Sequence, residues 1–288
     1  MQLASWVFGG GGVAAIAWHI GLLAGLGDEG VRVGAEDPLL GTSAGAVVGA
    51  QLASELTIKD LFERQRLGVS YEVPKGLTFR MIWTIMRDGL RSSSAAQFGR
   101  RIGRAASAFG QDEAQIRRRV IEARLPSHGW GSRDLHLVAV DADSGDHRVF
   151  SRADGVPLVD AVMASCAIPL IWPTVTVRGH RYMDGGMRSP VNLDLAPGTG
   201  PVIALAATTQ WQRWARFSDQ RRAIEASRPL TVVTMSRDIR RAPGRNPLNV
   251  DVVPAVAAEG VIRDGRRPRG FAPLSCADLA VRSTRRRF

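Results

Sequence analysis

In Pro38-Leu39-Leu40-Gly41-Thr42-Ser43-Ala44-Gly45-Ala46-Val47-Val48 a short apolar run passes through Gly-x-Ser-x-Gly into small helix-forming residues. Leu39-Leu40 suits a buried strand, and Ala46 to Leu56 follows a helical pattern. The same succession occurs once before. Leu3 to Phe8 reads as an apolar strand and Gly9-Gly10-Gly11-Gly12 as a turn. Val13 to Leu26, apolar at Val13, Ile16, Ala17, Ile20 and Leu23, reads as a buried helix that Asp28-Glu29-Gly30 ends. Strand, glycine turn and helix, twice in the first 56 residues, predict an α/β fold with a mainly parallel central sheet flanked by helices.

Further along, Thr57 to His128 is rich in Arg and helix formers, and predicts a helical insertion at about residues 57–130. Leu135 to Val140 reads as a core strand, with His147 to Phe150 paired to it across an Asp143-Ser144-Gly145-Asp146 turn. Val159 to Ala167 is a predicted helix before Ile168-Pro169. Thr174 to Arg178, Tyr182-Met183, Val202 to Ala206 and Thr231 to Met235 complete the sheet. The expected organisation is one domain over residues 3–210, a C-terminal extension of it over 211–260, and a loosely ordered Arg-rich tail over 261–288.

At 288 residues and 45% hydrophobic content the chain can bury a large core. The formal charge of +11 comes almost wholly from Arg, with Lys only at Lys59 and Lys75. The clusters Arg117-Arg118-Arg119, Arg240-Arg241 and Arg285-Arg286-Arg287 lack interleaved aromatics and any nucleic-acid fold motif, so no nucleic acid is expected. Solvated faces and peripheral contact with an anionic membrane are the readings left. No run reaches 18 apolar residues, and the first residues lack the basic start of a secretory signal, so the expected location is the cytoplasm. Cys166 and Cys276 form neither a local metal motif nor a disulfide framework.

Three motifs carry chemistry. Gly41-Thr42-Ser43-Ala44-Gly45 suits a nucleophile on a strand-to-helix turn, where the backbone is tight and the neighbours must be small. The alternative is a tight turn with a buried Ser. Gly9 to Gly12 lets successive N–H groups converge on one small volume, as an oxyanion hole or an anion nest. A dinucleotide fingerprint competes, with Gly10, Gly12, Ala15 in the last glycine's place, and Asp28 and Glu29 downstream. That reading leaves Gly-x-Ser-x-Gly without a purpose. Asp184-Gly185-Gly186 suits a carboxylate held at a strand end, or a plain Asp-Gly turn.

Taken together, a glycine loop after the first strand, Gly-x-Ser-x-Gly near residue 43 and Asp-Gly-Gly well downstream resemble the patatin-like phospholipases. Ala164-Ser165-Cys166-Ala167-Ile168-Pro169 resembles the small-residue segment that precedes the family's acid motif. The resemblance covers about residues 3 to 210, is thin through the insertion and is lost in the tail. It implies a Ser–Asp dyad acting on lipid or ester substrates without a cofactor or metal. Ser43 takes the nucleophile, Asp184 the base, and the N–H groups of Gly10, Gly11 and Gly12 the oxyanion hole. Gly41 and Gly45 flank the nucleophile, and Gly185 and Gly186 follow the acid. Many members carry Arg or Lys just after the glycines, where this chain has Val13-Ala14-Ala15.

A carboxylate of ordinary pKa, about 3.9, is a weak base, so the dyad needs a desolvated Asp184 held against the Ser hydroxyl. His180, close to Asp184 in sequence, offers a conventional triad instead. Leu77 to Arg87 joins Phe79, Met81, Ile82, Trp83, Ile85 and Met86 with Arg80 and Arg87, and reads first as a core helix, second as a lid or interfacial helix. Besides lipid ester hydrolysis, two other functions fit: an anion- or nucleotide-binding protein built on Gly9 to Gly12, and an inactive patatin-like interaction module.

Overall fold

The structure, a computed structural model, describes residues 2–68, 78–106, 111–209, 214–241 and 249–261. Its strands are β1 (Ser5–Phe8), β2 (Leu39–Thr42), β3 (Leu135–Asp141), β4 (His147–Phe150), β5 (Val175–Val177), β6 (His180–Asp184), β7 (Val202–Ala206) and β8 (Leu230–Thr234). Its helices are α1 (Gly12–Asp28), α2 (Ala44–Leu52), α3 (Ile58–Arg66), α4 (Phe79–Leu90), α5 (Ala95–Ala105), α6 (Gln111–Arg124), α7 (Leu158–Ser165), α8 (Phe217–Glu225), α9 (Arg237–Arg241) and α10 (Val253–Gly260).

All the strands form one sheet, in the order β5-β6-β3-β2-β1-β7-β8 with β4 also on β3. The run β3-β2-β1-β7-β8 is parallel, and β4, β6 and β5 add antiparallel pairings at one side. Alternate residues of the central strands feed two cores. Trp6, Phe8, Leu39, Leu137, Ala139, Ile203 and Leu205 face the larger one, with α1, α2, α7 and α10. Val7, Leu40, Val138, Val202 and Ala204 face the other, with Val191, Leu193 and Ile224. Burial on both faces is why these strands read as continuous apolar runs rather than alternating ones.

The register around β3 positions the site. β4 runs along one edge, pairing Phe150 to His147 with Leu137 to Val140. The other edge is shared end to end: Thr42 of β2 is paired with Val138, and Asp184 of β6 with Ala139. Two strands of opposite direction therefore bring their C-terminal ends together.

Among the described residues, 57–130 holds helices and no strand. Helix α2 stops at Leu52, short of the predicted Leu56, because Thr57 caps a new helix: Thr57 Oγ1 accepts from Asp60 N–H, and Asp60 Oδ2 accepts from Thr57 N–H. The core reading of the Leu77–Arg87 stretch does not hold. Leu77 lies outside the described residues, and of α4 only Asp88 is buried. The described residues between 214 and 260 belong to the same body: β8 pairs with β7, and α10 packs through Val253, Val256 and Ala257 into the larger core. The Arg-rich stretch 262–288, with Cys276, lies outside the described residues.

Candidate active site

Ser43 sits between β2 and α2 with φ 53° and ψ −114°, a conformation that side-chain-bearing residues rarely adopt. Such local strain survives only where the surroundings impose it. Here they do. A Cβ on Gly45 would stand 1.9 Å from the Phe8 carbonyl oxygen, and one on Gly41 2.5 Å from that of Gly45, so bare backbone is needed on both sides of the Ser. The Ser43 N–H donates to Ser165 Oγ at 3.0 Å, and that hydroxyl donates to the Val138 carbonyl at 2.6 Å. Cys166 Sγ donates to the Ser43 carbonyl at 3.2 Å. The nucleophile's own backbone is thus tied to β3 and to the end of α7, while its side chain stands at the N-terminus of α2, where the helix dipole favours negative charge.

Asp184, at the end of β6, is buried and divides its carboxylate between two donors. Gly186 N–H donates to Oδ1 at 2.7 Å, and Ser43 Oγ donates to Oδ2 at 2.6 Å. A Cβ on Gly185 would meet the Val138 carbonyl oxygen at 2.3 Å, and one on Gly186 would meet Asp184 Oδ1 at 2.9 Å. Both glycines of Asp-Gly-Gly are therefore spatial requirements. Desolvation pushes the Asp184 carboxyl up to about 6, against the opposing pull of the Ser43 and Gly186 hydrogen bonds and the Arg117 charge. A carboxylate of that basicity takes a proton far more readily than one in water.

The glycine loop lies against the Ser. A Cβ on Gly10 would stand 3.3 Å from Ser43 Cβ. Gly10 is nevertheless not the donor that its sequence position suggested: its N–H donates to the Pro190 carbonyl at 2.7 Å. Gly9 N–H likewise donates to Leu205 O. The N–H groups of Gly11 and Gly12 make no such bond among the described residues. Gly11, at φ 149°, caps α1 without a side chain, and Gly12 lines a small cleft together with Ser43, Val13, Ala44, Arg117 and Ile168.

No histidine joins this group. His180 is exposed, with Nδ1 3.3 Å from Asp141 Oδ2. His19 is buried against Phe8 and Trp18, bonds the Leu205 carbonyl through Nε2, and is lowered to about 4 by desolvation. The triad alternative has no geometry behind it.

Several supporting residues escaped the sequence reading. Ser165 belongs to a segment already singled out, yet nothing in the string ties its hydroxyl to Ser43 N–H. Asn192, at φ 51°, spreads its amide over Thr42 Oγ1, Gly185 O and Ser189 O, pinning the acid loop to the end of β2. Arg117 comes from α6, inside the helical stretch. Its buried guanidinium lies 4.6 Å from the Trp172 ring centroid, and Nη2 donates to Cys166 O at 3.4 Å.

A Ser hydroxyl on a raised-pKa carboxylate, beside glycine N–H groups and a helix N-terminus, can deliver an alkoxide to a carbonyl and hold the resulting oxyanion. A model of the patatin-like phospholipase family matches residues 6–197. No curated protein matches the chain. Two solved structures similar to it are VipD from Legionella pneumophila and the type III effector protein ExoU. VipD is 12% identical with a TM-score of 0.40, the match covering 90% of this chain and 67% of VipD. ExoU is 16% identical with a TM-score of 0.35, and this chain, 90% covered, spans about half of it (52%).

Proposed function

The chain belongs to the patatin-like phospholipase family, and from that premise we propose that it is a lipid acyl hydrolase cleaving carboxylic esters through a Ser43 acyl-enzyme. The 2.6 Å hydrogen bond from Ser43 Oγ to Asp184 Oδ2 carries the proposal. Oγ attacks the acyl carbonyl as its proton passes to Oδ2, and the N–H groups of Gly11 and Gly12 receive the oxyanion. Collapse of the tetrahedral intermediate breaks the ester C–O bond, and the departing alkoxide takes the proton from Asp184. Water then attacks the acyl-enzyme, giving its proton to Asp184, and the released Ser43 oxygen recovers that proton as the fatty acid leaves. The same carboxylate serves both halves, and no cofactor or metal takes part in the scheme.

Among the described residues no helix is long and apolar enough to cross a membrane. The reading is of a cytoplasmic protein that reaches its lipid from the membrane surface. Labelling by a fluorophosphonate probe tests the function, because only an activated serine reacts. Wild type should be labelled and Ser43→Ala should not; a panel of phospholipid, lysolipid and short-chain esters then identifies the substrate. An unlabelled wild type that cleaves no ester would remove the proposal.

A further inference from the structure

Helix α4 presents its apolar side to solvent. Phe79 is 83% exposed, Leu90 74%, Trp83 56%, Met86 54% and Ile82 42%. At 3.6 residues per turn these five fall within an arc of roughly 100°. Arg80, Arg87 and Arg91, all exposed, form a row along one flank of that arc. Asp88 is the one acidic residue of the helix; it is buried and takes the Arg87 guanidinium at 3.0 and 3.1 Å, leaving Arg80 and Arg91 as the outward charges. The opposite face anchors the helix. Met81 packs on the cluster of Ile171 and Trp172, against which Ile168 packs as well, and Ile85 packs on the cluster that contains Phe98, Met183 and Met187. Ile168 lines the cleft at Ser43, and Met183 precedes Asp184 in β6.

We infer that this outward stripe of α4 docks on an anionic lipid bilayer, its apolar side chains entering the headgroup boundary and its arginines meeting the lipid phosphates. The inference rests on the hydrolase reading, for which it supplies the surface that meets the substrate's membrane. A helix with an apolar face and only cationic exposed charges is the chemistry of an interfacial helix. A second copy of the chain is a poor occupant. Five side chains fall well short of the about 20 residues per side of a stable interface, and antiparallel self-docking would set one arginine row against the other. Because the inner face of α4 rests on the segment that lines the cleft, docking there would hold the bilayer beside the nucleophile.

Co-sedimentation with phosphatidylcholine vesicles, with and without phosphatidylglycerol, tests the inference. Wild type should favour the anionic vesicles, and salt should weaken the binding because exposed charges are screened beyond about 8 to 10 Å. In F79S/W83S the bound fraction should fall at least about tenfold, and hydrolysis of vesicle lipid should fall with it, while turnover of a soluble short-chain ester stays unchanged. R80E/R91E should lose the preference for anionic vesicles. Circular dichroism and melting establish that each variant is folded. Vesicle binding by F79S/W83S equal to wild type would overturn the inference, as would a wild-type dimer in light scattering that this variant dissolves, which would give the stripe to a second copy. Binding is read without turnover, so a chain that bound vesicles through α4 but cleaved no ester would lose the hydrolase reading alone.

Discussion

Ser43 and Asp184 meet through one oxygen of the carboxylate, Oδ2, while the other, Oδ1, is occupied by the N–H of Gly186. The acid is thereby oriented by the backbone of its own loop and leaves the oxygen that faces the nucleophile for chemistry. Replacement by Asn keeps the size and removes the ability to accept a proton. Ser43→Ala and Asp184→Asn should each lower ester turnover by about 10³-fold or more, as loss of members of one catalytic unit does. His180→Ala should retain most of it, since that ring is exposed on Asp141. Steady-state rates on a soluble ester decide; a folded, inactive His180→Ala protein would return the base to histidine.

The active form of Asp184 is the carboxylate, and burial raises its pKa to about 6. The ratio kcat/KM should therefore fall as pH drops through about 6 and level off above it. Arg117 holds that pKa down by its charge. Arg117→Gln should move the acidic limb to higher pH, and Arg117→Lys, which keeps the charge, should leave it close to the wild-type position. A limb that ignores both substitutions would mean that another group titrates.

The same shift has a consequence for folding. With a folded pKa above the unfolded one, Asp184 binds its proton better in the native state. Its contribution to stability is present below about 4 and lost as pH rises through about 6. At 1.36 kcal/mol per unit the full effect is at most about 3 kcal/mol. Asp184→Asn should consequently melt several degrees above wild type at pH 8, with the gap closing toward pH 4. Thermal melts across that range would refute the account if the gap stayed constant or had the opposite sign.

Gly11 combines a φ of 149° with a Cβ position only 2.9 Å from Ala15 Cβ and 3.2 Å from Ala207 Cβ. Gly11→Ala should tilt the N–H groups of the loop and lower turnover by about 10²-fold or more, the scale of losing one oxyanion donor. KM should change much less than kcat. Full activity in a folded Gly11→Ala protein would separate the loop from the reaction.

Much of this molecule is legible in the string because its signals are local. Strand, glycine turn and helix are contiguous, and the nucleophile and acid each carry their small neighbours beside them. What stayed hidden depends on contacts distant in sequence. Gly10 loses its N–H to Pro190, which lies 180 residues away, and Ser165 reaches Ser43 over a separation of 122. Helix α4 shows a different limit. A period of 3.6 reports that one face is apolar but not whether protein lies against it, and the apolar stripe Phe79-Ile82-Trp83-Met86 reads identically in a core and on a surface. The polar pins of Asn192 have no motif of their own, since an Asn after Ser-Pro-Val resembles any turn residue.

β3 sets the spacing of nucleophile and base while lending no side chain to either. Thr42 is registered on Val138 and Asp184 on the next residue, Ala139. One residue added between those two positions would part the strand ends by about 3.3 Å, leaving every reacting atom present and the pair disconnected. β3 thus acts as a fixed-length spacer, which makes the site brittle to a single-codon insertion or deletion within it.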